Sequence, residues 1–524
     1  MYKVFLAFLM TFYALTGICQ NEKPTLDTIL YNTTTRVHTS IKPFFNKAFN
    51  KTELADSASH ITMDSTSRKS WIHRKVFTEH LIDVKKEDYT AYIDFLPDFI
   101  IGKADNKNTW LNTRGFQIGG TVAKNFSFYT SGYENQGQFA DYYLNYINAK
   151  GVVPGQSYDR NQGKPGLVKD WSYATALISY SPIKYLNISI GQDKNFIGDG
   201  YRSMILSDVS SNYPFIKLIG TLGNVQYMAM WASMQDPNAT QISYDAGLRK
   251  KGGVFHYLDW NVNNRLSVGF FDAIIWAQYD DGGNKRGFDW SYANPVIFLR
   301  PLEATSGSPD NAVIGFTSKY EVLKNTVLYG QFMLDEFRAS DFFSKSGSFR
   351  NKWSSQLGFR GSNLFTITGL NYLAEYNISR PYTYSGRNAI LSYSNYAEPL
   401  AHPYGANFKE AVGILSYSWK RLNLYSKLNL ANYGLDPSAS ANFGKNIFKP
   451  YTSVKLDGHF IAQGINTDLI YFDNRISFFI NPKTNLRLEL GAIYRNERNS
   501  LSNQKTTWLT FGLRSSFRNL YQDF

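Results

Sequence analysis

From Tyr89 onward the chain is built of short segments in which apolar and polar side chains take turns. Leu486, Leu488, Leu490, Ala492 and Tyr494 share one face, and Arg487, Glu489, Gly491 and Arg495 share the other, with Ile493 the single apolar intruder. Leu422, Leu424, Leu428 and Leu430 oppose Asn423, Lys427 and Asn429 in the same way. Alternation with period two marks β-strands whose two faces meet different surroundings, a condition that a soluble sandwich meets as well as a membrane barrel. The connections separate the two. Short polar links occur at Ala123-Lys124-Asn125, Ser181 to Tyr185, Leu222-Gly223-Asn224, Asn263-Asn264, Leu323-Lys324-Asn325, Gly361-Ser362-Asn363, Lys420-Arg421 and Asn481 to Asn485. Their Asn and Gly residues accept the positive φ of tight hairpins. Between them lie long polar stretches at 137–170, 197–213, 278–310, 377–407 and 432–462. Short turns on one side and long loops on the other predict an all-β fold, a transmembrane antiparallel β-barrel of about 18 strands over residues 89–524. An even count returns both ends of the barrel to the periplasmic side.

Residues 20–88 are different: polar, free of glycine and without alternating strands. Trp71, Ile72, Val76, Phe77, Leu81 and Val84 fall near helical spacing. They predict either a short amphipathic helix in a periplasmic or plug segment, or a loosely ordered lead-in to the barrel. Ahead of them, Lys3, the apolar run Val4 to Leu15 and the small residues Gly17 and Cys19 predict a signal peptide over residues 1–19. Cys19 is the only cysteine, so cleavage after it leaves no thiol for a disulfide or a metal. The rival reading, a lipoprotein acylated at Cys19, is opposed by the bulky Ile18 before it. At the other end Leu509, Phe511 and Leu513 share a face, and the strand is expected to run to the aromatic Phe524, the usual recognition tag of outer-membrane barrels.

Composition narrows the class further. With 43% hydrophobic residues and a mean hydropathy of −0.33, the chain has no apolar run after its start long enough for a membrane helix, which excludes a helical bundle. Its 37 Tyr and 38 Phe suit the aromatic girdles of a barrel. The net charge of +13 is spread along the chain, which fits a solvated surface or contact with anionic lipopolysaccharide or acidic polysaccharide. Without a dense basic tract, nucleic acid is not an expected partner. The seven His are scattered, and His73 and His80 lie two helical turns apart, too far for one metal. No Walker loop, zinc motif or Ser-His-Asp set stands out, so neither a cofactor nor an enzyme is expected.

The most informative stretch is 191–218, GQDKNFIGDGYRSMILSDVSSNYPFIKL. It leaves a strand, turns on glycines, passes through an apolar run and meets a proline before the next strand. Phe196, Gly198, Gly200, Ser203, Ile205, Leu206, Ser207, Asp208 and Pro214 stand where the Wzi-type capsule-assembly family carries its motif, and the stretch resembles it. Phe196 takes the place of a Trp and Asp199 that of a Pro, as in a divergent branch. The ending Gly512-Leu513-Arg514, with Asn519 to Phe524, is similar to RemB-type gliding-motility proteins. The likeness implies an occluded outer-membrane barrel whose outer loops act as a lectin for surface polysaccharide, in capsule attachment or gliding. Its implied partners are outer-membrane lipid and lipopolysaccharide, surface polysaccharide, and proteins of the gliding or secretion machinery. A porin-type channel is the alternative function and a barrel hydrolase the third.

Two loops carry the candidate ligand residues. Met204-Ile205-Leu206 is too apolar to hang in water, so 191–218 is expected to fold into the barrel mouth. There it serves as an internal plug or presents Asp199, Tyr201, Arg202 and Asp208 to a glycan. The loop 377–407 offers Arg380, Tyr382, Tyr384, Arg387, Asn388, Tyr393, Tyr396 and Tyr404, aromatic faces and planar hydrogen-bonding groups of the kind that hold sugars, although girdles and self-packed loops also use Tyr. Asp280, Asp281, Asn284 and Asp289 lack EF-hand spacing and read as a solvated turn. Pro295 to Glu303, with Arg300, reads as a short apolar element folding inward.

Overall fold

A computed structural model describes residues 38, 40–42 and 70–524, apart from 124, 162–167, 238, 240–246, 281, 297–298, 300, 302–308, 337–339, 342–345 and 516–519. The signal peptide expected over residues 1–19 lies outside the described residues. Eighteen antiparallel strands close into one barrel. The first six are β1 (Tyr89–Ala104), β2 (Lys107–Val122), β3 (Phe126–Gln138), β4 (Lys169–Ile183), β5 (Leu186–Asp193) and β6 (Tyr213–Leu222). Next come β7 (Val225–Asp236), β8 (Arg249–Asn261), β9 (Leu266–Ala277), β10 (Asn311–Leu323), β11 (Thr326–Glu336) and β12 (Lys352–Gly361). The last six are β13 (Leu370–Ser379), β14 (Phe408–Trp419), β15 (Leu422–Leu435), β16 (Ile465–Asn481), β17 (Leu486–Arg498) and β18 (Asn503–Arg514). Each strand pairs with its sequence neighbours, and β18 closes on β1 from Trp508↔Ala104 to Arg514↔Asp98. Closure leaves no open edge, which the hydrocarbon layer demands because it offers no hydrogen bonds to free backbone groups. Arg514 donates across the seam to Asp98 at 2.8 Å and, on its other side, to Glu489 of β17 at 2.5 Å.

The alternation seen in the sequence becomes an inside and an outside. On β17 and β18, Leu488, Leu490, Tyr494, Leu509 and Phe511 are exposed on the outer wall, whereas Glu489 and Arg495 are buried in the lumen. Ile493 points inward too, and the intruder has a partner. It packs against the helix α2 (Asp141–Lys150), which dips into the outer mouth with Tyr142, Tyr143, Leu144 and Ile147 buried against Trp171, Tyr471 and Trp508. This helix sits in a stretch read from sequence as loop. Its signal was present: Tyr143, Leu144 and Ile147 at helical spacing, then Gly151, which caps the C-terminus at φ 72°.

Four local expectations are corrected. The N-terminal helix, α1 (Trp71–Phe77), is shorter than the spacing suggested, because Ile82–Lys85 leaves the helical path and pairs with Thr90–Ile93 of β1. Asp94 draws the chain there, accepting from the Leu81 amide at 2.9 Å and pairing with His80 at 2.6 Å. The strict alternation of short and long links breaks at two tight outer connections, between Ala104 and Lys107 and between Arg498 and Asn503. The inner link after Gly361 is longer than three residues and contains a 3₁₀ turn at Leu364–Thr366. Finally, the last strand ends at Arg514 rather than Phe524. The closing residues enter the lumen, where the Phe524 ring lies tilted against that of Tyr146, the centroids 4.1 Å apart.

Candidate functional site

The segment between β5 and β6 folds into the lumen, with Asp199, Tyr201, Arg202, Met204, Ile205, Leu206 and Asp208 all buried. Two glycines make its path possible. Gly198 adopts φ +144°, open only to glycine without strain, and a Cβ on Gly200 would fall 2.5 Å from the Glu375 carboxylate. That close approach lets Glu375 of β13 accept from the amides of Tyr201 at 2.9 Å and Arg202 at 3.0 Å. From β11, Gln331 accepts from the Met204 amide at 2.7 Å, and from β12, Gln356 donates to the Arg202 carbonyl at 3.0 Å.

The charges of this plug are all spoken for. Arg202 lies 2.8 Å from Glu410 and 3.0 Å from Asp523, a residue of the C-terminal tail. Asp199 sits 3.0 Å from Arg360 and accepts from Ser40 at 2.9 Å. Lys427 reaches the Tyr201 hydroxyl at 2.9 Å and Asp523 at 3.0 Å. The Tyr521 hydroxyl donates to Asp208 at 2.6 Å. A buried ion keeps its charge only with such partners, since stripping its water costs several kcal/mol. The N-terminal residues join from below: Ile41–Lys42 forms a two-residue ladder with Phe196–Ile197, and His38 pairs with Asp259 at 2.9 Å.

The loop between β13 and β14 closes over the plug. The Tyr384 hydroxyl donates to the Met204 carbonyl at 2.7 Å, and the Tyr393 hydroxyl to the Ile205 carbonyl at 2.6 Å, with the two rings stacked at 5.9 Å. Tyr382 donates to the Asn442 carbonyl at 3.0 Å, and the Tyr396 amide to the Gln235 carbonyl at 2.7 Å. His402 contacts Glu410 at 2.6 Å, and burial lowers its imidazole pKa below the ordinary range. Glu398 accepts from the Gly155 amide at 3.0 Å, and burial raises its carboxyl to about 7.

The candidate residues of the two loops therefore divide. Asp199, Tyr201, Arg202, Asp208, Tyr382, Tyr384 and Tyr393 are buried and committed to holding the plug and its cover. Tyr396 is half-buried, and Arg387 and its neighbour Asn388 stand exposed. Arg380 is partly covered and lines a cleft of about 580 Å³ at the outer rim, together with Asp341, Asn351, Ile378, Lys409, His459 and Phe460. Its guanidinium donates to the backbone carbonyls of Ser348 at 3.3 Å and His459 at 3.4 Å, while its Nε has no hydrogen-bond partner among the described residues. Burial lowers its pKa. Lys409 is exposed and Phe460 is 64% exposed, so the cleft combines two cations, the Asp341 carboxylate, an amide and an aromatic face, groups that bind sugar hydroxyls. Sequence reading found Arg380 but missed Lys409 and Phe460, which strand register and loop packing bring to it from distant positions. In the stretch read as a solvated turn, Asp280 holds the Asn284 amide at 2.8 Å and Asp289 pairs with Arg286 at 2.5 Å, the behaviour of turn residues.

Comparison with known proteins bears on the fold. The structure matches that of Wzi from Escherichia coli, described as an outer-membrane protein involved in group 1 capsule assembly and a carbohydrate-binding β-barrel, with a TM-score of 0.50 at 14% identity. The match covers 80% of this chain and 84% of Wzi. The chain is an outer-membrane β-barrel. OprD from Pseudomonas aeruginosa aligns with a TM-score of 0.42 at 12% identity over 84% of this chain and 98% of its own. OccAB2 from Acinetobacter baumannii aligns with a TM-score of 0.41 at 10% identity over 81% and 97%. No protein-family profile and no curated protein sequence matches the chain.

Proposed function

We propose that this barrel is a non-enzymatic surface protein of capsule-assembly type that retains polysaccharide at the outer membrane, in capsule or exopolysaccharide attachment or in RemB-type gliding. The observation that carries this reading is the filled lumen: a plug held by six successive strands, β10 to β15, leaves binding at the outer rim rather than passage as the available work. The cleft around Arg380 is the place where a glycan has both charge and an aromatic face to meet. Similarity to the fold of a carbohydrate-binding barrel supports the same reading.

The test pairs two measurements on the purified chain. In planar bilayers the barrel should be nearly silent, and a steady open conductance would favour a channel. Immobilised protein should retain labelled surface polysaccharide and lose it when Arg380→Gln is combined with Lys409→Gln. Release of a cleaved product would instead indicate a hydrolase. A deletion strain should shed capsule or fail to spread on agar.

A further inference from the structure

The wall formed by β8, β9 and β10 breaks the rule that outward side chains meet lipid. On β9, Phe271, Ala273 and Ile275 face the lumen and pack with Ile205 and Leu206 of the plug. Asp272, Ile274 and Trp276 must then face outward, yet they are 1%, 0% and 1% exposed. Val254 and His256 on β8 and Ala312 on β10 are equally covered. What covers them is the connection between β9 and β10, whose Tyr292 and Leu299 form a separate apolar cluster with Val254, Ile274, Trp276 and Ala312. Of the element expected to fold inward, Leu299 thus packs on the outer face of the barrel, while Arg300 lies outside the described residues.

Polar contacts pin this clasp. The Leu299 amide donates to Asp272 at 2.6 Å, Trp231 Nε1 donates to the Tyr292 carbonyl at 2.9 Å, and Trp276 Nε1 to the Gly287 carbonyl at 3.0 Å. Asp310 anchors its neck, accepting from Tyr292 at 2.8 Å and pairing with Arg286 at 2.5 Å. Asp272 lies directly across the ladder from His256, so a carboxylate and an imidazole stand on a wall that lipid would otherwise touch. Its depth is that of the hydrocarbon. It follows Leu266, Val268 and Phe270 as the fourth outward position of β9, and on β17 the outward face is still apolar at its fourth position, after Leu486, Leu488 and Leu490, with Ala492, and beyond it with the exposed Tyr494. Immediately below the clasp the same columns continue to lipid through Trp260 at 44% and Phe316 at 48% exposure. The clasp's own outer side carries Trp290, 80% exposed, Val296, 76% exposed, and Phe288, 40% exposed.

We propose that this clasp lies within the outer leaflet, anchored at Asp272, and binds the acyl chains of outer-leaflet lipid through Phe288, Trp290 and Val296. The lipid-facing surface continues across the wall onto the clasp, and aromatic and branched side chains gain by leaving water at that depth. A bare carboxylate on the lipid face is destabilising, and the clasp removes that contact by supplying the Leu299 amide.

Nitroxide labels at Trp290→Cys and Val296→Cys, in the full chain reconstituted into bilayers, test the idea. The unsubstituted chain is labelled in parallel to account for Cys19. Leu501→Cys, at an outer hairpin tip, is the aqueous reference and Phe316→Cys the lipid reference. The ratio of collisions with oxygen to collisions with a water-soluble nickel chelate should lie several-fold above Leu501→Cys and close to Phe316→Cys. A ratio matching Leu501→Cys, or shielding from both reagents as by a neighbouring protein, overturns the proposal. Adding Asp272→Ala should move the Val296 label toward water and leave the Phe316 label in place. An unmoved Val296 label would overturn the anchoring.

Discussion

Two sides of the barrel solve the same problem in opposite ways. Along β12 to β15 the lumen wall is polar: Arg360, Glu375, Glu410 and Lys427 are buried, and they grip the plug through ion pairs and backbone amides. Along β7 to β9 the lumen wall is apolar, with Met228, Met230, Met234, Phe255 and Phe271 packed on Ile205 and Leu206. One side fixes the plug by directional charge and the other by volume. The difference teaches where specificity and where bulk stability reside, because a charge network fails when one partner is lost, whereas an apolar contact weakens in proportion to what is removed.

The largest effect should come from the charged side. Arg202→Leu leaves Glu410 and Asp523 without their shared cation and should cost roughly 3–5 kcal/mol. Thermal unfolding in detergent should show it, and planar-bilayer recordings should show conductance as the plug loosens. On the apolar side Ile205→Ala should cost about 2–5 kcal/mol through lost contact and the cavity left behind. Because this loss leaves every ion pair in place, the lumen should stay closed. Equal conductance from both variants would erase the distinction between the two sides.

Smaller changes sharpen it. Tyr384→Phe keeps the ring stack but removes the hydrogen bond to the Met204 carbonyl, for a loss of about 1 kcal/mol by the same unfolding assay. Glu398 adds a pH dependence. Its carboxyl is raised by burial from 4.5 to about 7, so below 4.5 it is neutral whether the loop is folded or not. Between those values folding holds a proton that the open chain would release, so stability falls as pH rises and levels off above about 7. Hydrogen exchange at Gly155, corrected for intrinsic rate, should show protection declining across that window. The decline should be absent in Glu398→Gln. Smallest of all, Arg387→Gln sits exposed on the covering loop and should change stability by no more than about 0.5 kcal/mol.

How legible the sequence was follows the same division. On β15 to β18 lipid lies outside and polar groups lie inside, so the period-two pattern could be read directly, down to Ile493 as an exception with a cause. On β8 and β9 both faces are covered, by plug within and clasp without, and runs such as Phe270 to Ala277 lose their alternation because neither face meets water. The motif of 191–218 was legible as something that folds inward, since its apolar run had nowhere else to go. The loop 377–407 stayed open between two readings: tyrosines suited to sugars are the same tyrosines suited to capping backbone carbonyls, and composition does not distinguish them.

Alternation, turn chemistry and the parity of connections determined a closed barrel with the strand count observed, because each is set within a few residues of chain. Only the tertiary structure decided which charges are partners, that the tail turns inward after Arg514, that Lys409 and Phe460 join Arg380, and that the β9–β10 connection lies outside the wall. These depend on groups separated by tens to hundreds of residues meeting at one place. Local sequence fixes the direction of a side chain, and the closed ring fixes what it will find there.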